Sequence, residues 1–296
     1  MRCVTRLLSC LATVLALLPA LPAPAQTGAG TGQATPRMRF TEQVVMLPKA
    51  AIPSRIDLEA TVFKPPGEGP FPLVVINHGK APGRPFMQGR ARFAAQSAEF
   101  LRRGYAVVLP MRQGFARSGG AYVGGSCDIE ANGMMQADDV VAALDYMATL
   151  PYIDMERIVV IGQSHGGLTT MAFSTIGYPG VRGVVNFAGG LRNLNCADWE
   201  DRLVDAFASY GSSARYPSLW VYGDNDSYWP VPLPGRMFNA YKAQAKGEAA
   251  RAWLVDVGDF GNDSHRLFSA REGIPLWLPE VAAFFHSLGL PFETGS

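Results

Sequence analysis

Eight short apolar runs rich in β-branched residues punctuate the chain: QVVML (43–47), LEATVF (58–63), PLVVIN (72–77), YAVVLP (105–110), RIVVIG (157–162), GVVNFA (183–188), SLWVYG (218–223) and AWLVDV (252–257). Runs this short that are apolar at nearly every position fit strands buried on both faces. From PLVVIN onward most of them are separated by segments with helical spacing. Phe93, Ser97, Phe100 and Leu101 share one face of a helix that stops at Gly104, and Val140, Val141, Leu144 and Met147 do so before Pro151. A third helix follows the glycines after Ser164, and a last one covers roughly residues 280–288. Buried strands alternating with amphipathic helices predict the α/β class: a doubly wound, mostly parallel eight-stranded sheet with helices on both faces, joined by right-handed crossovers. The first two runs have no helix between them and predict an antiparallel hairpin at one edge.

The rest of the chain sets the domain organisation. Arg2 and Arg6 precede a short apolar run from Leu7 to Leu18, and PAPA ends at Ala25. This is the three-part pattern of a secretory signal peptide (residues 1–25), cleaved near Ala25, and it implies a secreted or periplasmic protein. The apolar run is too short to span a bilayer, so no membrane insertion is expected after cleavage. Residues 26–38 are small, polar and rich in Gly and Thr, a flexible lead-in, and residues 39–296 form one domain. Leaving out Arg2 and Arg6 moves the formal net charge from +1 to −1, which excludes the strong basic balance of a nucleic-acid binder. Cys127 and Cys196 would remain after cleavage; they are either a disulfide or two separate thiols.

In a doubly wound sheet, chemistry gathers at the carboxyl ends of the strands. After RIVVI comes Gly162-Gln163-Ser164-His165-Gly166, a G-x-S-x-G turn in a strand-then-helix context. A nucleophile on so tight a turn lies close to neighbouring chain on both sides, so the positions two residues away must lack side chains. A serine hydroxyl needs a base, and the base needs an orienting carboxylate. SLWVYG is followed by Asp224-Asn225-Asp226, and AWLVDV by GDFGNDSH, which ends at His265. Ser164, an aspartate and His265, each just past a strand, follow the chain order Ser–Asp–His. Three of the four histidines fall beside this site, but their spacing is not that of a metal centre, and no metal or other cofactor is expected.

These motifs resemble the α/β-hydrolase superfamily, in particular its dienelactone-hydrolase-like and prolyl-oligopeptidase-like serine esterase branch, from about residue 40 to 290. The resemblance implies the α/β-hydrolase fold with a small or absent lid. Its acid pattern G-x-x-D-x-x-x-P is matched by Gly223, Asp226 and Pro230, which implies Asp226 rather than Asp224 as the acid. It also implies that the loop VVINHGKAPG begins an oxyanion hole, with the main-chain N–H groups of Lys80 and His165 as the two donors. PMRQGFARSGG is similar to R-G-x-G-x-S-x-G, with Gln113 inserted and Ala116 where a glycine is usual; Arg112 and Ser118 are read as loop-shaping residues.

The expected activity is hydrolysis of small or soluble carboxylic esters through an acyl-enzyme. The segment 191–216, where lids grow in this family, has room for one helix, and its Trp199, Leu203, Phe207 stripe reads as core packing before substrate platform. Tyr228 and Trp229, beside the acid, are candidate substrate-binding residues. Lys80, Arg84, Arg90 and Arg92 form a basic loop that reads first as a solvated face and second, through the dienelactone resemblance, as an attractor of carboxylate-bearing esters. Two other functions stand beside the esterase: a peptidase or amidase of the prolyl-oligopeptidase type, against which no propeller-sized N-terminal domain is seen, and a non-catalytic binding protein on the same fold.

Overall fold

The computed structural model describes residues 40–124 and 127–294, so the leader and lead-in expected over residues 1–38 lie outside the described residues. Strands β1 (Thr41–Lys49) and β2 (Ile56–Lys64) form the antiparallel hairpin expected from the missing helix. β3 (Phe71–Asn77), β4 (Ala106–Pro110), β5 (Ile153–Gln163), β6 (Val181–Phe187), β7 (Ser218–Tyr222) and β8 (Ala252–Asp256) follow. The eight lie in one sheet in the order β1-β2-β4-β3-β5-β6-β7-β8, with β2 antiparallel to β4 and all later pairings parallel. The hairpin therefore sits at one edge, and β3 to β8 all open their carboxyl ends on one side.

Adjacent residues of the central strands feed different layers, as period-2 geometry requires. Val75, Val160, Val184 and Trp220 pack with α2 (Ile129–Met147), α3 (His165–Phe173), α4 (Trp199–Ser213) and α5 (Leu233–Gln244). Val74, Val159, Val185 and Val221 pack with α1 (Ala94–Leu101) and α6 (Ile274–Ser287). Because both faces are covered, the strands are apolar throughout rather than alternating.

One helix differs from the sequence reading and another, α5, lies where the sequence analysis placed no element. α6 begins at Ile274, well before residue 280, and carries Pro279 inside it. A proline there removes one backbone bond, but Trp277, Val281, Phe284 and Phe285 bury an aromatic face that holds the segment helical. α5 opens within a proline-rich stretch, with proline in its first turn, where the missing N–H has no helical partner to lose. The stripe on α4 is core, as expected: Leu203 and Phe207 are fully buried, while Trp199 packs 6.1 Å from Trp229.

Candidate active site

Ser164 stands between β5 and α3 with φ 57° and ψ −124°, a conformation an L-residue adopts at a cost of about 1–3 kcal/mol. The turn is held from both sides. Ser164 N–H donates to the Phe187 carbonyl at 2.9 Å, and its own carbonyl accepts from Gly167 at 2.8 Å and Gly190 at 3.1 Å. A Cβ on Gly162 would run into the Gly166 carbonyl, and one on Gly166 into the carbonyls of Asn77 and His78, so the two glycines are a steric requirement. His165 is the first residue of α3, and its N–H has no acceptor one turn back within that helix.

Ser164 and His265, singled out by chain order, meet Asp226, the acid that the resemblance implied. His265 Nε2 lies 2.9 Å from Ser164 Oγ, and His265 Nδ1 lies 3.0 and 3.1 Å from the two carboxylate oxygens of Asp226. Asp226 Oδ1 accepts from the N–H groups of Tyr228 at 2.8 Å and Trp229 at 3.1 Å, which fixes the carboxylate. Asp224 is not in this line; it faces Asp256, whose charge raises its pKa.

Asn225 and Asp263, which sequence reasoning passed over, clamp the two loops together. Asn225 Oδ1 accepts from Phe260 and Ser264, both at 3.1 Å, and its amide donates to the Gly261 carbonyl at 3.1 Å. Asp263 in turn accepts from the Ser227 N–H at 3.0 Å, its hydroxyl at 2.8 Å and the His265 N–H at 3.0 Å. The loop carrying Asp226 and the loop carrying His265 thus anchor each other.

Beneath the Ser164 turn lies a buried polar floor. His78 Nδ1 lies 2.8 Å from the Gly79 carbonyl, which assigns the proton to that nitrogen and leaves Nε2 to accept from the Arg112 main-chain N–H at 3.2 Å. Arg112 is fully buried and its guanidinium donates to the His78 carbonyl and to Gln136 Oε1, both at 2.6 Å. Gln136 Nε2 lies 2.6 Å from His165 Nε2, which is also 2.8 Å from Asn132 Oδ1. Burial, and after it the Arg112 charge, hold His78 and His165 well below the ordinary imidazole pKa, so both rings are neutral. Desolvation also pulls Arg112 down to about 10.

Two pockets, 280 and 460 Å³, adjoin at Ser164. Tyr122, Gly190, Arg192 and Trp229 line the first; Gln88, Phe93, Arg266 and Ser269 line the second. Tyr228 borders both, and its ring lies 4.3 Å from that of His265, with the Arg192 guanidinium 4.5 Å away. Trp229 is 1% exposed and donates through Nε1 to the Ala188 carbonyl at 2.7 Å, so it belongs to the packed floor as much as to the pocket. Of the basic loop, Arg90 and Arg92 pair with Glu42, whereas Lys80 borders both pockets. The cysteines left open by the sequence are joined: a Cys127–Cys196 disulfide ties the loop before α2 to the loop before α4. Ser118 shapes its loop, accepting from the Glu59 N–H at 3.0 Å and donating to the Met111 carbonyl at 2.7 Å. Among the described residues no cluster of His, Cys, Asp and Glu could hold a metal ion.

An open sheet in this strand order, with a serine on a strained strand-to-helix turn, is the α/β-hydrolase fold, and comparison with known proteins agrees. A model of the prolyl oligopeptidase family matches residues 91–200. A Klebsiella pneumoniae protein assigned as a dienelactone hydrolase superposes with a TM-score of 0.58 at 17% identity, over 84% of this chain and 99% of its own. Pyrococcus horikoshii acylaminoacyl peptidase gives 0.61 at 16% identity, over 87% of this chain and 43% of its own, so this chain spans less than half of that peptidase. An esterase from Pyrococcus furiosus gives 0.57 at 14% identity, over 84% and 93%. No curated protein sequence matches the chain significantly.

Proposed function

We propose that this chain is a serine hydrolase of carboxylic esters with small or soluble substrates. The observation that carries the reading is the unbroken line from Ser164 Oγ through His265 to Asp226, each step about one hydrogen bond long. Ser164 Oγ attacks the ester carbonyl while His265 Nε2 takes its proton. Asp226 holds the imidazole at Nδ1 and stabilises the imidazolium, and the N–H groups of Lys80 and His165 receive the oxyanion. The alcohol departs with the proton from His265. Water, deprotonated by His265, then attacks the acyl-enzyme, and Ser164 recovers its proton as the acid leaves. Two pockets adjoining at Ser164 suit a substrate with a group on either side of the scissile bond. With the leader expected over residues 1–25, the reaction takes place in a secreted or periplasmic setting.

The test is hydrolysis of p-nitrophenyl esters, acetate through octanoate, by the mature protein and by Ser164→Ala. Short-chain turnover that disappears in the variant supports the reading; a folded wild type that is inactive and resists a fluorophosphonate overturns it. The match to the prolyl oligopeptidase family over residues 91–200 favours an amidase as the second reading. Faster turnover of aminoacyl amides than of matched esters would select it.

A further inference from the structure

Arg112 is a fully buried cation with no contact ion pair among the described residues; the nearby buried carboxylate, Asp139, is engaged by Lys49 at 2.5 Å. A buried charge without a partner costs stability, so the bonds it does make matter. One runs to the segment that carries Lys80, and the other reaches His165 through a second side chain. One is to the carbonyl of His78, two residues before Lys80; the other is to Gln136, whose far end meets the imidazole of His165. The fork also orients the Gln136 amide: its oxygen is taken by Arg112, so its nitrogen faces His165 and Asn132 Oδ1, both at 2.6 Å. On its other side the Lys80 segment is held by Gln88, which donates to the Gly79 carbonyl at 3.0 Å and accepts from the Ala81 N–H at 2.8 Å.

Resting on the serine-hydrolase reading, we propose that Arg112 is the positioning residue of the oxyanion hole: its guanidinium, fixed between the His78 carbonyl and Gln136, sets the separation of the Lys80 and His165 N–H groups. The two donors lie 85 residues apart in sequence; β3–β5 pairing and the Asn77 Nδ2 bond to Thr170 Oγ1 at 2.9 Å join their segments on one side, and the guanidinium with Gln136 adds a second link beside Lys80 and His165. A lysine keeps the charge but cannot make both bonds. The role is exerted on the tetrahedral intermediate, where oxyanion donors act, and not on the ground-state ester.

The experiment compares wild type, Arg112→Lys and Gln136→Met, each verified as folded by circular dichroism. It measures kcat and KM on p-nitrophenyl butyrate and the affinity for a trifluoromethyl ketone that forms a tetrahedral adduct. Arg112→Lys should lose roughly 10- to 100-fold in kcat. Gln136→Met, which cuts only the His165 arm, should lose roughly tenfold by the same reasoning. KM should stay within about twofold, and affinity for the ketone should fall in step with kcat. Folded variants with wild-type kcat, or with lost kcat but undiminished ketone affinity, would overturn the proposal; if Arg112→Lys does not fold, Gln136→Met decides. A wild type without Ser164-dependent turnover removes the hydrolase reading and this inference with it. A wild type that turns over, beside variants that match it, removes this inference alone.

Discussion

The two faces of the sheet differ in how much polar material they bury beside their apolar cores. On the α1/α6 face, Phe285 packs within ring distances of 6.1 Å to Phe100, 5.4 Å to Tyr105 and 4.5 Å to Phe292. On the α2–α5 face the helices bring Asn132, Gln136, Asp139 and His165 into the interior beside Arg112. Apolar packing is non-directional and tolerant, whereas buried polar groups act through directional bonds, although Arg112 Nη2 and His165 Nδ1 have no hydrogen-bond partner among the described residues. Both faces carry apolar packing, Phe207 and Tyr241 against Trp220 on the second, and the second adds the polar groups that hold position. The site lies at the carboxyl edge of the second.

The largest expected effect tests where chemistry resides. Ser164→Ala should lower kcat on p-nitrophenyl acetate by on the order of 10⁴-fold or more. Phe285→Ala, on the aromatic face, should cost about 3–5 kcal/mol in urea unfolding. Its kcat per folded molecule should remain that of the wild type; a kcat loss would break the division between the faces. A third expectation follows from the neutral buried histidines. The unfolded chain binds protons at His78 and His165 near pH 6.5, and the folded chain does so only at the depressed values. Stability is therefore full above 6.5 and falls below it, by about 1.4 kcal/mol per pH unit for each histidine. Urea midpoints at pH 7.5 and 5.5 check this, and a flat profile would mean these rings are not held neutral. Asn225→Ala, which unclamps the Asp226 and His265 loops, should lower kcat roughly tenfold through misplacement of His265. The smallest effect belongs to Arg84→Glu. Arg84 is exposed and lies outside both pockets, so the ratio of rates on anionic and neutral esters should shift less than about twofold.

The same contrast explains what could be read from the chain. Strand identity was legible because two-sided burial leaves continuous apolar runs, and Ser164, an aspartate after β7 and His265 were legible because a tight turn demands glycine and a base demands a carboxylate; the choice of Asp226 over Asp224 came from the family resemblance. The polar floor was not. Asn132, Gln136 and Asp139 fall at i, i+4 and i+7 on α2, the spacing of one helix face, and polar residues at that spacing read as a solvated stripe. Only the third dimension shows that this stripe faces inward, with Arg112 opposite it. The start of α6 was obscured by Pro279, whose local signal for a boundary is outweighed by tertiary burial. Pairing of Cys127 with Cys196 stayed open because it depends on two loops meeting across a sequence separation of 69.

That disulfide closes a covalent ring that contains Ser164 and Gln136 but excludes Arg112, Asp226 and His265. A protease cutting once between residues 127 and 196 would leave one molecule, not two, its halves still joined through Cys127 and Cys196. The peptide segment bearing Ser164 thus cannot be released by a single nick, and the cut would register on a gel only after reduction.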